Sequence, residues 1–482
     1  MSTLLIAIII LMFFAVLMGV SWFTSRNADS ETFFTGNRRS PWYLVAFGMI
    51  GSTISGVTFI SVPGEVGNSA WTYLQFLLGN FIGYWVIALV LIPLYYRLNL
   101  VSIYTYLDQR FGLRSYKTGA FFFLVSQTIG ASFRLYLAAG VLQIAFFNDF
   151  GIPFWLTVLI TLFLIWIYTY RAGIKTVVWT DSLQTFFILG AVGITIWVIL
   201  SQLDLSFGDM VTVVDHHPFS RIFDWDWKSK TNFFKQFMAG VGIVLTMNGL
   251  DQNMMQKNLT CKTRKDAQKN IFWFSFAFII ANIFFLSLGV MLYYYAAQKG
   301  IDLPSRTDDL FPLLAIKYFG PLAGALFLLG ILSAAYSSAD SALTALTTSF
   351  CIDFLNLDPA APKSKRTRIL VHVGFSLLMF LVIVIFRIIN NESVVSAVFR
   401  VAGYTYGPLL GLFAFGILTK RMVKDRFVPL VGLLSPVLTY IVNANSEAWF
   451  GGYKFGFELL LLNGLIMFTG LLLLSHNKQE SR

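Results

Sequence analysis

Apolar runs separated by short polar joints fill this chain from end to end. Thirteen of them can be marked, at roughly 4–24, 41–66, 70–96, 118–147, 153–170, 178–202, 234–256, 270–297, 319–351, 369–388, 395–419, 427–445 and 455–475. Each is about 18 residues or longer, enough for a helix to cross the hydrocarbon core of a bilayer. The short alternating segments of a membrane barrel do not occur. An all-α integral membrane protein of about 13 transmembrane helices is therefore expected, with the bilayer as its first partner. The first run, Leu4 to Trp22, has no basic lead-in and no small-residue cleavage site, so it is expected to be a retained helix rather than a signal peptide.

Composition agrees: 57% of the residues are hydrophobic and only 12% charged, which no soluble domain sustains. The net charge of +11 does not call for nucleic acid, because its distribution follows the membrane. Twenty-four basic residues fall at 26–39, 97–117, 171–175, 257–269, 363–368, 420–426 and in the tail, on one set of alternate loops, against nine on the other set. By the positive-inside rule the N-terminus lies outside and the C-terminus in the cytoplasm of a multi-pass protein of the cell's inner (plasma) membrane. The long outer loop, about 203–233, carries "DHHPFSRIFDWDW", whose tryptophans suit the interface. Its two histidines lack a nearby third ligand for a metal. Cys261 and Cys351 supply neither a disulfide framework nor metal-site spacing. With no Walker A sequence and no HExxH, neither an ATP-driven pump nor a zinc peptidase is supported, and the chain is not expected to be an enzyme.

Two of the runs are interrupted. The second reads "FGMIGSTISGVTFISVPGEV", with Gly48, Gly51 and Gly56 around Ser52, Thr53 and Ser55. The seventh reads "GIVLTMNGLDQNMMQ", with Gly249 beside Asn248, Asp251, Gln252 and Asn253. Unwound backbone at this depth is tolerated only where protein buries it or it lines a cavity. The two runs are five apart, so they head two five-helix repeats of opposite orientation, 41–202 and 234–419, between an extra first helix (4–24) and two last ones (427–475). That pattern is a secondary transporter's, with ion and solute sites at the breaks.

The ninth run holds "SAAYSSADSA", Ser333 to Ala342. Ser337, Asp340 and Ser341 share one helical face, and Ala334 lies one turn before Ser337 and Ser338. A carboxylate at this depth must face a cavity or a partner. Hydroxyl, carboxylate and carbonyl oxygens suit a hard cation; sodium fits, and so do potassium and a proton. A second membrane acid, Asp181 in "VVWTDSLQ", stands near the start of its helix, where a favourable dipole would account for it.

The stretches "STISGVTFISVPGEV", "GIKTVVWTDSLQ", "GLDQNMMQKNLTCKTRKDAQKN", "LSAAYSSADSALTALTTSF" and "GYTYGPLLGLFAFGIL" together resemble the sodium:solute symporter family, the solute carrier 5 type, over nearly the whole chain. The resemblance implies a LeuT-like 5+5 inverted repeat and alternating access driven by an inward sodium gradient. It implies a shared sodium site of carbonyls and hydroxyls at Gly51, Ile54, Ala334, Ser337 and Ser338; glycine at 51 replaces the usual alanine. Members that carry sialic acid add a further sodium site, matched here by Asp181, Ser337, Asp340 and Ser341, but with serine at position 340. Two carboxylates around one site repel unless a cation separates them. Tighter sodium binding is the expectation, a proton on one acid or a basic partner for Asp340 the alternatives.

The solute is expected at the breaks, against Thr53, Ser55, Thr58, Asp251 and Gln252. In the sialic acid symporters an arginine grips the carboxylate from a position that matches Gly130 here, and a glutamine from one that matches Leu77. This chain instead has Arg134 one turn on, poised either for an anionic solute or for Asp251. The function read from the sequence is sodium-coupled symport of a small polar solute, a sugar, a sialic acid-like compound or another organic acid, by a monomer with sodium as coupling ion. Proton coupling on the same fold is the alternative, and a solute sensor built on it a more distant one.

Overall fold

The computed structural model describes residues 3–26, 30–170, 173–358, 364–389 and 394–476. Arg171, Lys363, Lys478 and Arg482, four of the cations in the charge count, lie outside them. All thirteen apolar runs are helical. Numbered in chain order, the main helices are α1 Thr3–Ser25, α2 Trp42–Thr53, α3 Gly56–Ser69, α4 Tyr73–Val86, α5 Leu113–Ala145, α6 Phe154–Thr169, α7 Ile174–Gln202 and α8 Phe233–Val244. They continue as α9 Gln252–Asn258, α10 Arg264–Gln298, α11 Gly320–Ser349, α12 Ser364–Ile389, α13 Val394–Thr405, α14 Gly407–Leu418, α15 Val428–Ala444 and α16 Leu459–Leu473. Among the described residues eight helices are long and apolar enough to span a membrane, or ten when two bent pairs count as single spans. Thus about thirteen helical segments are present, but α2, α6 and α16 are short of a full span.

Local chemistry sets many of the helix starts. Asn232 and Thr263 accept the backbone N–H of Phe234 and Asp266 and so cap α8 and α10. Proline occupies the first turns of α11, α14 and α15, where its missing N–H costs nothing.

The helix α11 is the axis of the bundle. Every residue from Gly330 to Ser349 is buried, as expected of a helix surrounded by others. Its most extensive neighbour is α7, which also packs along α2. By contrast α12 and α15 expose Leu377, Leu381, Ile385, Leu433, Leu434 and Val437, the surface a lipid tail would cover. The helices α4 and α8 meet backbone to backbone. A Cβ on Gly79 would stand 2.0 Å from the Phe237 carbonyl oxygen, and one on Gly240 would stand 2.1 Å from that of Phe76. Only glycine permits that approach, and it fixes α8, the helix that leads into the second break.

Candidate functional site

The first break follows from the sequence around Ile54. Its φ of −75° and ψ of 81° leave the helical region, and Ser55 is extended. The N–H of Ser55, which would continue the ladder to Gly51, turns to the Thr53 carbonyl at 3.0 Å. The ladder resumes only with Phe59 N–H on the Ser55 carbonyl at 2.9 Å. The Gly51 and Ile54 carbonyls are thereby left out of both helical ladders. Beside them, Thr185 of α7 places its hydroxyl within the α2 ladder. Its Oγ1 accepts from Gly51 N–H at 2.9 Å and lies 2.9 Å from the Phe47 carbonyl, which would otherwise receive that N–H. An inserted hydroxyl of this kind loosens the helix just ahead of the break.

Across from the break, α11 presents the serines. Ser338 Oγ is buried and has no hydrogen-bond partner among the described residues. Leaving a buried hydroxyl unpaired costs about 1–3 kcal/mol, so an uncompensated one on a helix packed against the first break marks a place for a ligand. Ser337 points instead to α7, donating to Asp181 Oδ1 at 2.5 Å. The Lys257 ammonium of α9 stands 2.6 Å from Asp181 Oδ2, with both side chains at most 1% exposed. The Ser341 hydroxyl sits between the two acids, 3.4 Å from Asp181 Oδ2 and 3.2 Å from Asp340 Oδ1. Tyr168 of α6 donates to Asp340 Oδ2 at 2.9 Å.

These contacts correct three expectations. Lys257, counted with the loop cations, is buried in the bundle. The basic partner in this cluster serves Asp181, and no ion pair to Asp340 occurs among the described residues. Asp181 is no first-turn acid, because α7 begins at Ile174 and puts it in the third helical turn, beyond the reach of the terminal N–H groups. The four residues of the expected further sodium site do come together, but with the Lys257 ammonium already on one of them, Asp181.

The second break joins α8 to α9 at a bend of 62°. A π turn at Leu245–Gly249 ends in Leu250, and Asp251 is extended (φ −106°, ψ 122°) before α9 starts. Asp251 caps that start, its Oδ1 accepting from Asn253 N–H at 2.8 Å while Oδ2 accepts from Tyr406 at 2.6 Å. The carbonyls freed at Gly249 and Leu250 are taken by Tyr95 at 2.9 Å and Tyr104 at 3.0 Å.

Both breaks line one cavity, about 1500 Å³ with its mouth included, whose wall reaches Thr231 and Asp308. At the other end of the bundle α5 and α11 are tied together. Tyr116 and Ser349 donate to the Asp353 carboxylate at 2.9 and 2.5 Å, and Lys117 to the Asp353 carbonyl. The expected Thr53, Ser55, Thr58, Arg134 and Asp251 all line the cavity. Gln252 does not. Its amide is buried against the 101–103 turn, donating to the Val101 carbonyl at 2.8 Å and accepting from Ile103 N–H at 3.0 Å. It is a clamp beneath the break rather than a cavity contact. Arg134 makes no ion pair or hydrogen bond among the described residues, and one guanidinium nitrogen lies 3.5 Å from where a Cβ of Gly130 would stand. A helical side chain leans toward the N-terminus of its helix, so Arg134 fills the space that Gly130 leaves open.

Three cavity residues are additional to the sequence assignment. Gln127 shares a face of α5 with Gly130 and Arg134, and Asn248 and Asn253 flank Asp251. Gln127 Nε2, Asn248 Oδ1 and Asn253 Oδ1 have no partners among the described residues. The polar run around Gly249 contained the signal for the asparagines, and the i, i+7 spacing to Arg134 that for Gln127. In the 203–233 loop His216 and His217 bind backbone of their own segment, at Thr212 and Phe219.

A profile of the sodium:solute symporter family matches residues 33–426. The sodium/sialic acid symporter SiaT of Proteus mirabilis (strain HI4320) is 26% identical over 441 residues, spanning 88% of this chain and 86% of its own length. The sodium/iodide cotransporter of Homo sapiens is 26% identical over 404 residues, 81% of this chain and 61% of that protein. Among solved structures, a Na+-coupled sialic acid symporter in a substrate-bound outward-open state superposes with a TM-score of 0.83 at 20% identity, over 97% of both chains. A nucleobase-cation-symport-1 family transporter follows with a TM-score of 0.58 at 14% identity, over 93% of this chain and 95% of that one. The shared fold is the LeuT-like one.

Proposed function

This chain belongs to the sodium:solute symporter family, and we propose that it carries a small carboxylate-bearing solute together with sodium by alternating access. It is a membrane transporter and not an enzyme. The observation that carries the choice of solute is the unpaired Arg134 guanidinium over Gly130, in the cavity that both breaks line. Arg grips a carboxylate in a bidentate fork, and the unpartnered Gln127 Nε2 offers it a further donor, while the free Asn248 and Asn253 Oδ1 atoms offer acceptors to the solute's other polar groups. Relatives described as sialic acid symporters and as sodium-coupled monocarboxylate transporters carry acids of this class.

In this reading sodium is held by the Gly51, Ile54 and Ala334 carbonyls with the Ser337 and Ser338 hydroxyls. The loose Gly51 and Ile54 carbonyls and the unpaired Ser338 hydroxyl support that set. A cation there would fix the break that also carries Thr53, Ser55 and Thr58 to the cavity wall. Coupling follows, because each ligand then favours the backbone arrangement the other needs. The same reading takes 41–202 and 234–419 as the two repeats, the N-terminus outside, and a monomer as the working unit.

The test is a thermal-shift panel on the purified chain, with sialic acid, pyruvate and lactate set against neutral sugars, in sodium and in potassium. Acids should stabilise in sodium only, and sugars in neither. Ser338→Ala should weaken sodium's effect about ten- to hundredfold without lowering stability in potassium, because Ser338 Oγ gives up no protein hydrogen bond. Stabilisation by sugars alone, or a wild-type sodium response in the variant, refutes the reading.

A further inference from the structure

The acids on α7 and α11 have one cation built into the protein. Both oxygens of Asp181 are engaged, Oδ1 by Ser337 and Oδ2 by Lys257. The ammonium at 2.6 Å is as close as an oxygen-ligated hard cation would be, at roughly 2.3–2.6 Å. We propose that Lys257 permanently holds the place of a second coupling cation, so that this chain binds a single sodium per cycle. The inference rests on the sodium-coupled reading above.

Three observations carry it. The residues expected to hold a further sodium (Asp181, Ser337, Asp340 and Ser341) are gathered, and the cation on Asp181, the acid that links them, is a side chain. The pair is sealed, with Lys257 1% and Asp181 0% exposed, so no water shell is available to separate a second cation from the ammonium. The Lys257 ammonium also already answers the Asp181 carboxylate, so a sodium added at Asp181 would bring a positive charge to a buried place where that carboxylate's charge is spent.

The tether also has a mechanical consequence. Lys257 sits on α9, the half-helix that begins at the second break. A diffusible ion at Asp181 would take its bridge between α9 and α7 away once released. A tethered one keeps α9 bonded to Asp181 of α7 throughout the cycle, and only the shared site empties and fills.

Equilibrium binding of sodium-22 to the purified full-length chain in detergent, read by scintillation proximity, decides the matter. Wild type should bind about one sodium per chain with a Hill coefficient of about 1. Lys257→Gln should expose the second position and raise the count to about two, with a Hill coefficient above 1. Adding Asp181→Asn to that variant should return the count to about one. About two sodium ions on wild type overturns the proposal and leaves sodium coupling intact, even if the variants fail to fold. A Lys257→Gln chain that folds and still binds about one also overturns it. No saturable sodium binding to wild type removes the coupled reading, and the inference with it.

Discussion

Gly51→Ala is the substitution for which the structure gives the sharpest expectation. A Cβ on Gly51 would stand 2.3 Å from Thr185 Oγ1, 3.1 Å from Thr185 N and 3.2 Å from the Asp181 carbonyl oxygen. Nonbonded atoms settle roughly 3.5 Å apart, so the α2–α7 contact must open by about 1 Å or Thr185 must turn away. Overpacking of this kind costs about 1–3 kcal/mol. Losing the Thr185 bridge between Gly51 N–H and the Phe47 carbonyl adds about 1 kcal/mol. Thr185→Ala alone should cost only about 1 kcal/mol, since Gly51 N–H is then free to rejoin the α2 ladder. The double variant should be no worse than Thr185→Ala, because the space that Cβ needs is the space the hydroxyl vacates. The coupling energy is then about 2–4 kcal/mol in the favourable direction. Apparent melting temperatures of the four purified proteins measure it, and sodium-22 affinity should follow the same order, since Gly51 also offers a carbonyl to the ion. A stable single Gly51→Ala variant, or two costs that simply add, would refute the role given to Thr185.

Two more expectations concern the cavity. Arg134→Gln should abolish the thermal shift produced by an acid, weakening its binding about ten- to hundredfold, while sodium-22 binding stays at the wild-type level; an unchanged shift would return Arg134 to the role of a neighbour for Asp251. Gln252→Ala should lower stability by about 1–3 kcal/mol, since it strips partners from Ile103 N–H and the Val101 carbonyl, yet leave the ranking of acids in the panel as it was; a reordered panel would make Gln252 a cavity contact after all.

The fold was largely legible because a bilayer admits few solutions. Apolar length alone marks a helix when every backbone group must be satisfied within its own segment. What length does not mark is where the helix ends. The helices α5, α7 and α10 begin at Leu113, Ile174 and Arg264, four to six residues ahead of their apolar runs. Charged residues such as Arg114, Lys117, Lys175 and Lys269 continue them beyond the hydrocarbon, so hydropathy measures the membrane and not the helix.

The site was legible to a lesser degree, and the reason differs from residue to residue. Glycines beside polar side chains identified both breaks, since nothing in lipid-facing packing requires that mixture. Gln252 misled because a polar residue at a break can face the cavity or brace it, and the extended Asp251 turns the next side chain toward the 101–103 turn. Lys257 was invisible for another reason. A lysine after an apolar run reads as an interfacial cation unless its partner is known, and its partner lies 76 residues earlier in the chain. Arg134 shows the intermediate case. Its spacing from Gly130 is local, one helical turn, and the lean of helical side chains brings its guanidinium over the Gly130 position, while its role there was open between an anionic solute and a buried acid.

These placements converge on a single stretch of α7. Thr185 enters the ladder of α2 ahead of the first break. One turn before it, Asp181 meets Lys257 of α9, beyond the second break, and Ser337 of the central helix α11. Alternating access requires that ion binding distinguish two arrangements of the broken helices, since a ligand indifferent to them shifts nothing. In the proposed sodium site a cation would touch the first break directly through the Gly51 and Ile54 carbonyls. One route from there to the second break runs through Ser337, whose hydroxyl is already committed to Asp181 and thereby to Lys257. When Ser337 turns its lone pairs to an ion, the hydrogen bond it donates to Asp181 is strengthened by the added positive charge, and the grip of α7 on α9 changes with it. The two breaks are therefore coupled through α7 and α11 even where they do not touch.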